Sequence, residues 1–254
     1  MTTVPPSSVE TSVRLLVAGA GLLVIDTALT FYEIVTDRAI RIPRFDWYVL
    51  TPGVAIVVIA GWVIGLALFV NPRTRVRWGW VAPLGTVLVA LADRQTWAGS
   101  VLYLIAVWTA LHWWSARLAV DPRSAADRAI PLRVVQVHLA GVLLWAAYAK
   151  LNGRFLSGSV LSVSFTGMVE LPEEWITPRV LRPVAVATIT AEVAIAAGLW
   201  TRSMRRVAVA LGLLFHVVIF LFLSPPLVLA GFGLVMASGY VLFIDRIPGA
   251  PHHG

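Results

Sequence analysis

The sequence has no cysteine and only one lysine among its twenty basic residues. Without cysteine there can be no disulfide, no thiol nucleophile and no thiolate-bound metal. Charge is scarce as well. Asp, Glu, Lys and Arg make up 13% of 254 residues, well below the share needed to solvate the surface of a water-soluble chain. Strict apolar–polar alternation is missing, which argues against a membrane β-barrel. No fixed-period repeat, heptad pattern or separate polar domain interrupts the chain. What remains is apolar: 59% of residues are hydrophobic, gathered in long blocks. A helical span needs roughly 20 mostly apolar residues, and several blocks reach that length.

These features predict an all-α fold, a polytopic transmembrane helical bundle of about eight spans. The candidate spans are residues 13–30, 49–70, 78–92, 97–120, 132–150, 180–200, 207–223 and 227–243, the third being short. Residues 1–12 read as a cytoplasmic tail, 13–245 as a single transmembrane domain and 246–254 as a C-terminal tail. The net charge of +7 comes almost entirely from Arg. Those arginines sit in short loops beside apolar blocks, so they are read as topology determinants against anionic headgroups rather than as a nucleic-acid surface. With both termini in the cytoplasm of a cell-membrane protein, the larger share of the arginines falls inside. Two outer segments exceed plain turns. Residues 31–48 are amphipathic and end in Trp47 and Tyr48. Residues 151–178 begin with Asn152-Gly153 and end in the acidic run around Glu170, Glu173 and Glu174; they lie along the surface or dip into the bundle. Pro225 and Pro226 break the chain between the last two spans.

An ionisable group at span depth is costly and is a functional candidate by default. Asp26, His112, His138, Glu192 and His216 qualify. Glu192 and His216 lie ~18 Å and ~15 Å into consecutive spans, so they are expected to meet near mid-bilayer and hold or relay protons; interhelical packing bonds are the bland alternative. His112 and His138 read as structural hydrogen-bonding residues without metal spacing, and no metal is expected. Trp97, Trp108, Trp113, Trp114, Trp145 and Trp175 read as an interfacial belt. Lys150 stands apart, because a chain that uses Arg for nineteen tasks has placed its one amine differently. Arg stays protonated, whereas a desolvated Lys can act as a base. A snorkelling interfacial lysine is the competing reading.

The stretch Ala149-Lys150-Leu151-Asn152-Gly153-Arg154-Phe155-Leu156-Ser157-Gly158 resembles a motif of the vitamin K-dependent γ-carboxylase and HTTM membrane family: a small residue, Lys-Leu, three residues, Trp or Phe, two residues, Gly. Asp93-Arg94-Gln95-Thr96-Trp97 followed by Leu102-Tyr103-Leu104 is similar to that family's Asp-basic-x-Ser/Thr-Trp segment. Phe215-His216 followed by Phe220 and Ser224-Pro225-Pro226 is similar to its penultimate span. The resemblance implies that Lys150 deprotonates a reduced menaquinone (vitamin K hydroquinone), whose oxygenation by O2 yields a base able to take a glutamyl γ-proton, with CO2 capturing the carbanion. It also implies proton-holding roles for His216 and Glu192, with Trp97, Asp93, Arg94, Phe155 and His138 around the substrate or cofactor. Where the carboxylases carry Asn and His after the Trp, this chain has Gly99 and Ser100. The large extramembrane domain that grips the glutamyl peptide in the carboxylases is not expected among these 254 residues, which resemble the stripped-down bacterial HTTM members. The expected partners are the bilayer, a quinone or lipid ligand, and a secreted peptide or neighbouring membrane protein; nucleic acid is not among them. Two other classes stay open. One is a non-catalytic subunit or partner in secreted-peptide maturation, which would depend on small-residue faces such as Ala18-Gly19-Ala20-Gly21 and Gly231-Phe232-Gly233. The other is a proton-coupled transporter using Glu192, His216 and Asp26.

Overall fold

The computed structural model describes residues 7–36, 51–92, 98–120 and 125–244. Among the described residues the regular structure is entirely helical. Eight helices of twelve residues or more are α1 (Ser7–Val35), α2 (Pro52–Val70), α4 (Val81–Ala92), α5 (Ala98–Val120), α6 (Ala125–Ala149), α9 (Pro178–Trp200), α10 (Arg205–Phe222) and α11 (Pro226–Val241). Short elements α3 (Pro72–Trp78), α7 (Gly153–Leu156), α8 (Ser159–Ser164) and a 3-10 turn at Glu173–Trp175 lie between them. Five helices, α1, α2, α6, α9 and α10, are long and apolar enough to cross a membrane; α4 and α11 are shorter apolar helices. The amphipathic segment expected at 31–48 overlaps α1 in its first residues and otherwise lies outside the described residues.

Local chemistry sets the boundaries. Thr51 accepts from Val54 N at 3.3 Å with Pro52 in the first turn, which starts α2. Asn71-Pro72 ends α2 and starts α3, the Asn71 side chain accepting from Arg73 N at 3.0 Å. α1 begins at Ser7, ahead of the expected start at residue 13, because Val9, Ser12 and Val13 are buried in the bundle.

The long helices pack in chain order, α1 on α2, α2 on α4, and so on to α11, which closes the ring on α1. α11 also touches α5 and α6, and Val235–Tyr240 is buried without a break, so this helix lies toward the middle. The closure onto α1 is tight: a Cβ on Gly19 would stand 2.6 Å from the Gly231 carbonyl oxygen. Both small-residue faces singled out in the sequence therefore meet each other. The outward faces are apolar; Ile56, Val57, Trp145 and Tyr148 are each about two-thirds exposed or more. A water-soluble bundle turns polar residues outward on such faces.

Trp108 and Trp114 are buried, not interfacial. Trp108 packs edge-on to Phe69 at 4.4 Å between ring centroids, because α5 has neighbours on both flanks and a large indole fills that volume. Trp113, Trp145 and Trp175 are exposed, and Trp97 lies outside the described residues.

Two contacts fix how the α5–α6 hairpin sits along the bundle. At the upper end, where α9 begins, α7 and α8 pack on α9, and the Ser164–Val169 region bonds to the end of α10. α11 therefore starts at the upper end too. Yet Lys150, one residue past the end of α6, bonds Glu192, fourteen residues and ~21 Å into α9. Tyr103, only five residues into α5, touches Gly239, thirteen residues and ~20 Å into α11. The hairpin is thus displaced toward the lower end, and residues 151–177 occupy the wall above it.

Candidate functional site

Asn152 places the first functional group. Its amide donates to Ala149 O at 2.8 Å, satisfying a carbonyl at the end of α6, while its Oδ1 accepts from Phe155 N at 3.0 Å and caps α7. One side chain thereby stops one helix, starts the next and holds Lys150 and Phe155 in fixed relation. The Lys150 ammonium lies 5.9 Å from the centroid of the Phe155 ring, a cation–π distance.

Lys150 Nζ donates to Glu192 Oε1 at 2.6 Å. The lysine side chain is 25% exposed and the glutamate 5%, so the pair is reached from the lysine side and closed on the glutamate side. A buried ionised carboxylate without a partner would be very costly, and the amine supplies that partner. Glu192 Oε2 is buried without a hydrogen-bond partner among the described residues.

Behind the pair lies a layer of rings. His216 is buried on α10, stacked with Phe232 at 5.7 Å and edge-on to Tyr240 at 5.8 Å between centroids. Neither imidazole nitrogen has a hydrogen-bond partner among the described residues. Tyr240 lies near Glu192, and His216 near Lys150. Tyr103 completes the layer, its hydroxyl lying over Gly239, the residue next to Tyr240. Both tyrosine hydroxyls are buried and unpartnered among the described residues. Glycine makes this possible: a Cβ on Gly212 would stand 2.6 Å from Tyr240 Cζ, one on Gly239 would collide with the Tyr103 hydroxyl, and one on Gly233 would touch His216 Cβ at 3.4 Å.

The sequence-derived residues divide accordingly. Lys150, Glu192, His216 and Phe155 are brought to one region. The partner expected for Glu192 was His216; the structure gives it Lys150, because α6 ends halfway down α9 and not at the bundle's edge. His138 faces outward on α6, its Nδ1 3.2 Å from Val134 O of its own helix, away from the layer. His112 does not face His138 either: its Nδ1 lies 2.9 Å from Arg75 O at the end of α3. Asp26 is half-buried on α1 and forms no ion pair with Arg or His among the described residues. Trp97, Asp93 and Arg94 lie outside the described residues. No group of three metal-ligating side chains occurs among the described residues.

Sequence reasoning missed Tyr103 and Tyr240, since only carboxylates, imidazoles and the amine were weighed at span depth. The available signal was the small residues opposite them, Gly212 and Gly239. It also missed the second ion pair, at the lower end, where buried Arg75 donates from Nη2 to Glu10 Oε1 at 2.7 Å and packs over Phe69 at 5.7 Å. Compared with protein-family models, curated proteins and solved structures, the chain matches none.

Proposed function

We propose that this chain is an integral cell-membrane protein of the HTTM, carboxylase-like type, with about eight spans and both termini cytoplasmic, that performs quinol- and oxygen-dependent proton abstraction at Lys150. The observation that carries the reading is the Lys150–Glu192 contact of 2.6 Å, a proton donor–acceptor pair inside an apolar bundle. The five long apolar helices and their exposed apolar faces agree with residence in a bilayer.

A reduced menaquinone fits the donor set. Phe155 offers a ring face beside the amine, and the Lys150 side chain, 25% exposed, presents its nitrogen to a ligand hydroxyl. Lys150 and Phe155 would hold it at the exposed side of the pair. When bound, such a quinol supplies the reducing equivalents that, with oxygen, generate a base beyond the reach of any side chain.

The chain's own part is proton handling. With the shared proton on Glu192 Oε1, the Lys150 Nζ lone pair accepts a proton from a substrate hydroxyl. With that proton on Nζ, the pair rests as an ion pair. Glu192 therefore stores the proton that Lys150 must not carry when it acts as a base. His216 and the tyrosines keep water from surrounding the pair and provide further proton-exchanging positions behind it.

The test compares Lys150→Ala and Lys150→Arg in membranes supplied with reduced menaquinone and oxygen, reading quinone epoxide. Arg preserves the charge beside Glu192 yet cannot give up its proton. Both variants are expected to lose about 10²–10⁴-fold in rate, the usual contribution of a positioned base. Undiminished epoxide formation in both would overturn the proposal.

A further inference from the structure

Two hollows on the outer surface of α9 meet at a single side chain. The upper one, about 490 Å³, lies between α7 and the start of α9 and is lined by Ser157, Arg179 and Arg182 among others. The second, about 760 Å³, runs down α9 from Arg182 past Val186, Ala187 and Ala191 to Ala194. The upper hollow falls within the usual size range of ligand sites, ~300–1,000 Å³, whereas the second is a shallow, open strip along one face of α9. The upper hollow is basic and the lower one almost wholly apolar.

The charge in the upper hollow is uncompensated. Arg179 and Arg182 are exposed and form no ion pair among the described residues, although Glu173 and Glu174 are close in sequence. Thr177 does not cap the start of α9 with its side chain, so that helix adds the positive end of its dipole to the same place. The apolar groove has a definite length. Twelve residues separate Arg182 from Ala194, ~18 Å of helix, close to half of a ~30 Å hydrocarbon core. A basic head site joined to an apolar groove one leaflet deep matches an amphiphile with an anionic head.

We propose that this surface binds one anionic phospholipid of the leaflet at the upper end, its phosphate between Arg179 and Arg182 and one acyl chain along α9 to Ala194. Inorganic phosphate would use only the upper hollow and a zwitterionic lipid gains little from the two guanidinium groups; the anionic phospholipid uses both parts. The inference rests on the membrane reading above, but not on the Lys150 chemistry. Failure of the membrane reading would appear separately, as release of the chain from membranes by alkaline carbonate without detergent.

The experiment presents the detergent-purified full chain with equimolar phosphatidylglycerol and phosphatidylcholine and counts retained lipid by native mass spectrometry. The wild-type protein is expected to prefer phosphatidylglycerol by about tenfold or more, from two arginines near one phosphate. The double variant Arg179→Gln/Arg182→Gln should bring that ratio near one, while Arg182→Lys keeps most of it. Ala187→Leu/Ala191→Leu, filling the groove, should lower retention of phosphatidylglycerol without altering the lipid-free melting temperature. An unchanged ratio in the glutamine variant, or unchanged retention in the leucine variant, overturns the assignment. Equal thermal stabilisation by inorganic phosphate and by phosphatidylglycerol also overturns it, because the groove would then contribute nothing.

Discussion

At the scale of single residues, Lys150 and Glu192 balance charge inside the bundle, and the proposed function gives them a second task, transfer of a proton, that substitutions can separate from the first. Lys150→Met leaves a carboxylate that is 5% exposed without its partner, and removing one member of a buried pair costs ~3 kcal/mol. Lys150→Met/Glu192→Gln removes both charges and should recover most of that loss, to within ~1 kcal/mol of wild type, while remaining inactive. Melting of the three proteins in detergent measures the first effect, and equal destabilisation of the single and double variants would show that the two groups are not coupled. Lys150 was legible in the sequence because it is the only lysine, and Glu192 and His216 because charge at depth is rare. The partnership of Lys150 with Glu192 was not legible. It depends on where α6 stops relative to α9, a register set by packing and not by composition. Tyr103 and Tyr240 escaped for a different reason: only carboxylates, imidazoles and the amine were weighed at span depth, and the glycines that make room for the two phenols are far from them in sequence or on another helix.

At the scale of elements, the seam between α1 and α11 is where backbone approach decides stability. Gly19 has the Gly231 carbonyl in the path of any side chain, whereas Gly21, two residues on, has nothing within 4 Å of an added Cβ. Gly19→Val should therefore destabilise by about 1–3 kcal/mol or more through overpacking. Gly21→Ala should be neutral or stabilising by up to ~1 kcal/mol, from helix propensity alone. Detergent melts of both variants provide the check; similar behaviour would mean that the seam yields. The sequence marked both small-residue faces but could not show that they face each other, because α1 and α11 stand at opposite ends of the chain. Asn152-Gly153 was marked as the start of the outer segment, and there Asn152 caps α7; the start expected at residue 49 moves to Pro52, where Thr51 caps α2. At Gly158 the requirement is stricter. Its φ of 81° and the Pro178 carbonyl 2.5 Å from an added Cβ both demand glycine where α7 turns into α8.

At the scale of the whole molecule, the ring of helices in chain order makes the orientation testable with one reagent. The absence of cysteine lets single thiols report cleanly. Ser157 and Ser203 are both exposed and lie at opposite ends of α9. With both termini cytoplasmic, Ser157→Cys should react with a membrane-impermeant maleimide on intact cells, and Ser203→Cys only after permeabilisation; the reverse pattern would invert the topology. Composition alone revealed the helical, apolar character of the chain, because it concerns totals. The displacement of α5–α6 did not show in it, because that concerns where helices of ordinary length are placed. The displacement has a mechanical consequence. Beside the lower half of α9 the wall is a full-length helix, and moving it would tear α6 from its neighbours. Beside the upper half the wall is residues 151–177, fastened by a few backbone bonds such as Gly167 N to Phe222 O and Val169 N to Leu221 O and by the small cluster of Phe155, Leu161, Leu181 and Ala185. The bundle thus has a stiff base and a soft shoulder. Under the proposed function, a guest approaching Lys150 from the upper end would meet this shoulder and not a full-length helix.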